Sequence, residues 1–407
     1  MAEQEPHLRR SLSLPLLTLY GLGTTIGAGI FALIGKVAGN AGVFAPVSFL
    51  VASLLAAFSA LSFAELSARF PRAAGEAVYV REGLQSHRLA LAVGLLVALS
   101  GTVSAAAIVN GAVGYVHDFV GLPGVAIIVG IVLVLGLTAA WGIRESVTLA
   151  SLFTVIEIGG VLLVIWAGWR AAGHAPGILP PTPTFDVGIG AGILAGAVLA
   201  FYAFLGFEDM VNVAEEVKDV RRTLPLAILL TMAVTALLYV LLSMAAVRAV
   251  PPAELAASAA PMTLVFQRGT GWSGEAISLI AIFAILNGAL IQMIMASRVL
   301  YGLSAQGQLP ALLGMVNPRT RTPLPATVLV IGAVLALALL LPIEPLARTT
   351  SLLVLTVFSL VNLSLWRLKR REQGLGRPGM VPRWVPAVGV FVSVAFIVLE
   401  ALRLWQS

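Results

Sequence analysis

Apolar residues in this chain gather into long, nearly unbroken blocks separated by short polar stretches. Eleven such blocks stand out, at about 15–34, 43–66, 89–117, 122–142, 147–169, 188–213, 224–247, 275–303, 324–341, 346–366 and 384–404. Each is long enough to cross the roughly 30 Å hydrocarbon layer of a bilayer as a helix. Inside a bilayer only helices or closed barrels satisfy the backbone, and the alternating pattern of barrel strands is absent here. The blocks therefore predict an all-α polytopic membrane protein in one transmembrane domain, with about eleven spans.

Two blocks are interrupted. The first carries GLGTTIGAGIF at 21–31, with glycines at its middle that each cost about 1 kcal/mol against alanine in a helix. The sixth carries FYAFLGFED at 201–209, where aromatics, Gly206 and two adjacent carboxylates lie at or just beyond mid-depth. Non-helical backbone at that depth is tolerated only when buried in protein or lining a cavity. Both spans are expected to break, and each opens a run of five spans, the sequence pointer to an inverted-repeat transporter with its site between the breaks. Freed N–H groups and half-helix dipoles there suit a small zwitterion. A plainer alternative holds for the first span, since Gly23 and Gly27 also form a G-x-x-x-G contact face. For Glu208 and Asp209 the plainer alternative is a pairing with a nearby arginine.

Composition and charge refine this picture. Hydrophobic residues make up 59% and charged residues 11% of the 407 positions, with mean hydropathy +0.99, which excludes an ordinary soluble domain. The net charge of +6 is then a topology signal and not a nucleic-acid one. With the N-terminus in the cytoplasm, only Lys36, Arg170, Arg248, Arg268, Arg348 and Arg403 fall outside, so the basic bias fixes that orientation. An odd number of spans puts the C-terminus outside, in a multi-pass protein of the plasma membrane. The stretch 66–88 reads as a cytoplasmic connection with an amphipathic interfacial helix, and 170–187 as an ordered Pro-rich external loop. The longer external loop 249–274 is placed to cap a cavity, and the basic run at 366–377 to meet anionic lipid headgroups. No cleavage site precedes the first span, so an uncleaved first helix is expected.

Cysteine is absent and the four histidines stand at segment ends, so neither a disulfide framework nor a metal cluster is expected. No H-E-x-x-H or G-x-S-x-G motif points to an enzyme, no charged ring points to a channel, and no cofactor is implied. A membrane sensor of amino acids is the alternative from another class, and it would be marked by an attached soluble domain.

At this point the chain resembles the amino acid-polyamine-organocation superfamily of permeases, in its cationic-amino-acid-transporter-like bacterial and archaeal branch. The resemblance covers about residues 10 to 370. It rests on GTTIGAGIF at 23–31, FAELSARFPRAAGEAVYV at 63–80, GIRES at 142–146, FYAFLGFEDMVNVAEEVKDVRRTLPLAI at 201–228 and SRVLYGLSAQGQLP at 297–310. It implies a leucine-transporter-like fold, with repeat one at about 12–170, repeat two at about 186–368 and an additional helix at about 384–404. The usual twelfth span is missing from this pattern, and a monomer or weak dimer is expected. It also implies alternating access and an amino acid held between spans one and six.

Carried over by residue, the resemblance assigns Thr24, Thr25, Ile26, Gly27, Ala28 and Gly29 to a cradle for the substrate carboxylate. Freed carbonyls around Ile26, Phe201, Ala203 and Phe204 would accept from the ammonium. Phe201, Tyr202, Phe204 and Phe207 are candidates for side-chain recognition and gating, with Gly206 supplying the flexible backbone. Glu208 and Asn287 are further candidates. A neutral substrate is expected because no committed acid stands near the side-chain pocket; a cationic amino acid or polyamine is the alternative. Glu157 is the only ionisable residue between Glu145 and Arg170, so it lies near mid-membrane, where an unpaired carboxylate protonates or pairs. It occupies the place where some relatives put a lysine in lieu of a sodium ion, and is expected to take up a proton in one conformation and release it in another. Its structural alternative is a permanently protonated acid bonded to a carbonyl of the broken span. A sodium site is the weaker coupling alternative, since the middle of span eight offers no hydroxyl.

Overall fold

The computed structural model describes residues 12–71, 75–117, 119–141, 147–171, 187–305, 307–317, 320, 322–372 and 380–406. The GIRES stretch, most of the 170–187 loop and the end of the basic run after Glu372 lie outside the described residues. Each apolar block is realised as a helix: α1 Leu14–Ala41, α2 Ala45–Arg69, α3 His87–His117, α4 Gly124–Trp141, α5 Val147–Arg170, α6 Val187–Tyr202, α7 Val220–Ala249, α8 Glu275–Ala305, α9 Leu324–Leu340, α10 Ile343–Arg371 and α11 Trp384–Gln406. Among the described residues eight helical stretches are long and apolar enough to cross a membrane, and three shorter ones are also apolar.

The helices α1 and α6 occupy the centre. There α1 packs against α5, α6, α7 and α8, while α2 lies across α6 and α7, and α3 pairs with α8 and α10. The connection 66–88 holds a helix at Gly75–Leu84, as its amphipathic spacing predicts. Its apolar face, with Gly75, Tyr79, Val80 and Leu84 buried, rests on α3 and α10 instead of lying free at an interface. The 249–274 loop folds into two short helices, Pro252–Ala257 and Pro261–Thr270, pressed over the far end of α1, where Lys36 donates to the Ala256 carbonyl at 3.2 Å.

The eleventh helix is tied to the bundle at both ends by buried charge. Glu65 of α2, 1% exposed, receives Lys369 of α10 at 2.7 Å and the Val381 N–H just before α11 at 3.0 Å. At the other end Arg348 of α10 meets Glu400 of α11 at 2.7 Å. Removing one partner of such a pair strands a buried charge, at a cost of about 3–5 kcal/mol.

The first span differs from expectation. Its backbone is helical from Leu14 to Ala41 without interruption, glycines included. Span six does break: α6 ends at Tyr202, a turn follows, and a 3₁₀ helix runs from Phe207 to Glu216.

Candidate functional site

The break in span six has a local cause. Gly206 stands at φ +123°, a conformation that side chains rarely adopt, and a Cβ there would come within 2.6 Å of the Thr24 carbonyl oxygen of α1. Before it, the N–H groups of Ala203, Phe204 and Leu205 reach back three residues instead of four, at 3.0–3.2 Å, which tightens the chain into a 3₁₀-like turn. After it, the Glu208 carboxylate turns back to accept the Gly206 N–H at 2.8 Å. That bond takes the place of the arginine pairing considered for Glu208.

Across this turn α1 stays helical and very close. Gly29 lies against the backbone of Ala203, and a Cβ at Gly27 would stand 2.9 Å from the Ala284 carbonyl oxygen of α8. The Thr24 hydroxyl donates to both the Gly21 carbonyl, at 2.9 Å, and the Gly206 carbonyl, at 3.0 Å, while Thr25 donates to Gly21 at 2.7 Å. A continuous helix pairs its interior N–H groups with carbonyls four residues back. The open carboxylate cradle expected over Thr24 to Gly29 is therefore not formed in this conformation, and the glycines serve as points of close approach. Ile26 is fully buried, and the side chain of Ala28 lies outside the described residues.

A residue the sequence reading missed joins the two spans here. The Tyr239 hydroxyl of α7 lies 2.8 Å from the Thr25 carbonyl oxygen and 2.9 Å from that of Ala203, so one phenol ties span one to span six. Its ring packs on Phe204 at 5.1 Å between centroids. The signal was present: Tyr239 is the lone aromatic of α7, and Thr231, Thr235, Tyr239 and Ser243 recur every four residues along its otherwise apolar middle, 224–247. Phe201 and Phe207 are buried around Phe358, and the Tyr202 hydroxyl meets the Ser104 hydroxyl of α3 at 2.9 Å.

Beside the turn lies a cavity whose lining includes Leu205, Glu208, Asp209, Ser104, Gln292 and Glu76. Glu76, from the short Gly75–Leu84 helix, and Gln292, of α8, were not singled out from sequence; Gln292 Nε2 donates to Asp209 at 3.3 Å. Asn287, the residue proposed on α8, is half-buried and is not on the wall of this cavity. Burial pushes the Glu76 carboxyl up to about 7, its own backbone offsets part of that rise, and the neighbouring Glu208 adds to it.

Glu157 sits on α5, 2% exposed, and among the described residues neither carboxyl oxygen has a hydrogen-bond partner. Its Oε2 would be 3.9 Å from a Cβ at Gly27. The alternative of a carboxyl bonded to a carbonyl of span one is not what the geometry has.

Comparison with known proteins follows the same lines. Residues 12–403 match the amino acid permease family. The chain is 30% identical to the vacuolar cationic amino acid transporter 4 of Arabidopsis thaliana, over 95% of this chain and 66% of that protein. It is 29% identical to the branched-chain amino acid permease BcaP of Bacillus subtilis, over 93% and 85%, and 32% identical to an uncharacterized transporter of Mycobacterium bovis, over 95% and 85%. The chain thus spans just under two thirds of the length of the plant relative. The chain belongs to the amino acid permease family of the amino acid-polyamine-organocation superfamily, and its helices form the leucine-transporter-like fold of that superfamily.

Proposed function

We propose that the protein is a secondary active transporter, and not an enzyme, that moves an L-amino acid by alternating access and couples it to protons through Glu157. The orientation has the N-terminus in the cytoplasm of a cell bounded by the membrane it spans, with the two repeats at about 12–170 and 186–368. The observation that carries the coupling reading is the Glu157 carboxyl, 2% exposed beside Gly27 with both oxygens unpaired among the described residues. Such a group is costly as an anion and is neutralised by a proton unless a partner is supplied. The substrate site is the contact between Thr24–Gly29 and Phe201–Gly206, which must separate to admit a ligand. Support comes from the relatives, named for amino acid transport in two branches. The measurement is uptake into proteoliposomes with and without an imposed pH gradient, in the absence of sodium. Glu157→Gln is expected to bind substrate but to lose gradient-driven accumulation; a sodium requirement, or unchanged accumulation in the variant, defeats the reading.

The side-chain class has a second reading. The expectation of a neutral substrate rested on the lack of a committed acid near the pocket. The cavity beside span six is lined by Glu76, Glu208 and Asp209, which favours a cationic side chain, the class named for the plant relative. A thermal-shift screen of the twenty amino acids and several polyamines decides it, since a ligand that binds the folded state raises its apparent stability. Stabilisation by arginine or lysine is the expected result; stabilisation by neutral amino acids alone restores the neutral reading.

A further inference from the structure

Polar residues on one face of α2 meet polar residues of α10. Ser59, Ser62, Glu65 and Arg69 recur every three or four residues toward the end of α2, and Asn362, Lys369 and Glu372 oppose them toward the end of α10. The Asn362 amide, fully buried, accepts from the Ser62 hydroxyl at 2.5 Å and donates to the Ser59 hydroxyl at 3.0 Å. Two turns further along α10, Lys369 meets Glu65 at 2.7 Å; Arg69 pairs with the same carboxylate and reaches Glu372 at 2.7 Å. Two acids and two bases thus balance one another. Beside them Phe63 packs edge-on against Phe358, ring centroids 5.2 Å apart. Buried polar groups satisfied in this way hold one register, because a slip of either helix would strand several of them at once.

The eleventh helix is fastened to α10 at three levels. Lys369 Nζ donates to the Val381 carbonyl at 2.6 Å and the Val381 N–H donates to Glu65, so the chain entering α11 is bound by the same network. Midway, a Cβ at Gly389 of α11 would come within 2.5 Å of Asn362 Oδ1, so the two helices touch there. At the far end Arg348 meets Glu400 at 2.7 Å. The other side of α10 differs. There the cavity has Thr350 and Val354 of α10 on one wall and Ser100 and Ser104 of α3 on another. Walls that border a void have few contacts to lose when they part.

We propose that α2, α10 and α11 move as one body, so that access to the cavity opens between α10 and α3 and not between α10 and α2. The inference rests on the alternating access proposed above. A transporter must part some of its helices to admit a substrate, and the least costly plane breaks the fewest buried polar contacts. Parting α10 from α2 would break both hydrogen bonds between Asn362 and the serines and separate Lys369 from Glu65. Parting α10 from α3 at the cavity breaks none of these. The eleventh helix then serves as a brace, holding α10 along its length while the entering chain grips α2 through Glu65.

The test uses the absence of cysteine, which leaves introduced thiols alone in the chain. In Arg69→Cys/Glu372→Cys the outermost pair is removed together, Glu65 keeps Lys369, and a short bifunctional thiosulfonate reagent bridges the two thiols. Counterflow of a labelled mixture of the twenty amino acids into proteoliposomes is measured before bridging, after bridging and after reduction. The expected result is one rate throughout, with the bridge verified by the mass of the intact protein. Counterflow that is lost on bridging and restored by reduction overturns the inference and leaves the transport reading in place. Absence of counterflow in the wild type removes the transport reading, and the inference falls with it. Should the double variant not fold or not bridge, pulsed electron resonance on nitroxide labels decides. Labels at Ala68 and Arg371, outside the network, report the distance from α2 to α10, and labels at Leu89 and Arg371 the distance from α3 to α10. The unlabelled mixture is expected to shift the second distance and to leave the first as it was. A shift in the first distance, or in neither, overturns the inference.

Discussion

Spans one and six carry the same kind of sequence, an apolar run interrupted by glycines near mid-depth, yet only the sixth breaks. The difference lies in what each glycine is used for. In α1, Gly23, Gly27 and Gly29 keep helical backbone and give up their side-chain space to Thr154, the Ala284 carbonyl and Ala203. In span six, Gly206 takes a positive φ, and two groups reward the turn: Glu208 accepts its N–H and Thr24 donates to its carbonyl. Glycine lowers the cost of leaving a helix, but a helix in an apolar medium is left only where other groups satisfy the freed backbone. The close-packing alternative thus describes span one in this conformation, and the broken-helix reading describes span six.

The sharpest way to break this comparison is to put the same methyl group in both places. Gly206→Ala meets strain from its positive φ and the Thr24 carbonyl together, at a cost of about 2–5 kcal/mol. Gly27→Ala meets only the Ala284 carbonyl, at about 1–3 kcal/mol. Apparent melting of the detergent-solubilised variants should rank Gly206→Ala the lower, and the reverse order would refute the comparison. Packing also predicts that Gly27→Val yields little folded protein, where a cradle used only for binding would give a folded protein that does not bind. A smaller effect comes from the link between the spans. Tyr239→Phe leaves the Thr25 and Ala203 carbonyls without the phenol, at a cost of about 1–3 kcal/mol. Unchanged melting in Tyr239→Phe would mean that those carbonyls need no such tie.

Much of the architecture could be read from apolar block length, because a bilayer-length helix needs only composition to announce itself, and all eleven blocks recur as helices, the sixth cut short at Tyr202 by its break. The amphipathic helix at Gly75–Leu84 was equally legible, since Gly75, Tyr79, Val80 and Leu84 share one face. What that face meets was not, because an apolar stripe docks on lipid or on protein with the same pattern. Phe204 and Gly206 stand at the turn as their motif implied. The state of span one was hidden because helix and break differ by a few kcal/mol, decided by neighbours such as Ala203 and Ala284 that are distant in sequence. Glu76 and Gln292 escaped notice for the same reason: each is ordinary on its own helix and acquires meaning only beside Glu208 and Asp209 across the cavity.

The smallest effect concerns that cavity, where span six differs most from span one by having carboxylates in place of glycine contacts. Burial holds the Glu76 carboxyl at about 7, against an ordinary value of 4.5 in the unfolded chain. The folded state therefore keeps a proton that the unfolded state has already released. The stabilisation this represents is complete below about 4.5 and is lost as the pH rises through about 7. Between pH 6 and pH 8 the loss is about 1 kcal/mol, so the apparent melting temperature should fall over that interval. In Glu76→Gln, which stays neutral throughout, the slope should flatten. A wild-type slope of opposite sign, or one that Glu76→Gln leaves untouched, would show that Glu76 enters the fold as a carboxylate. The three acids of the cavity would then have to be balanced by a cation.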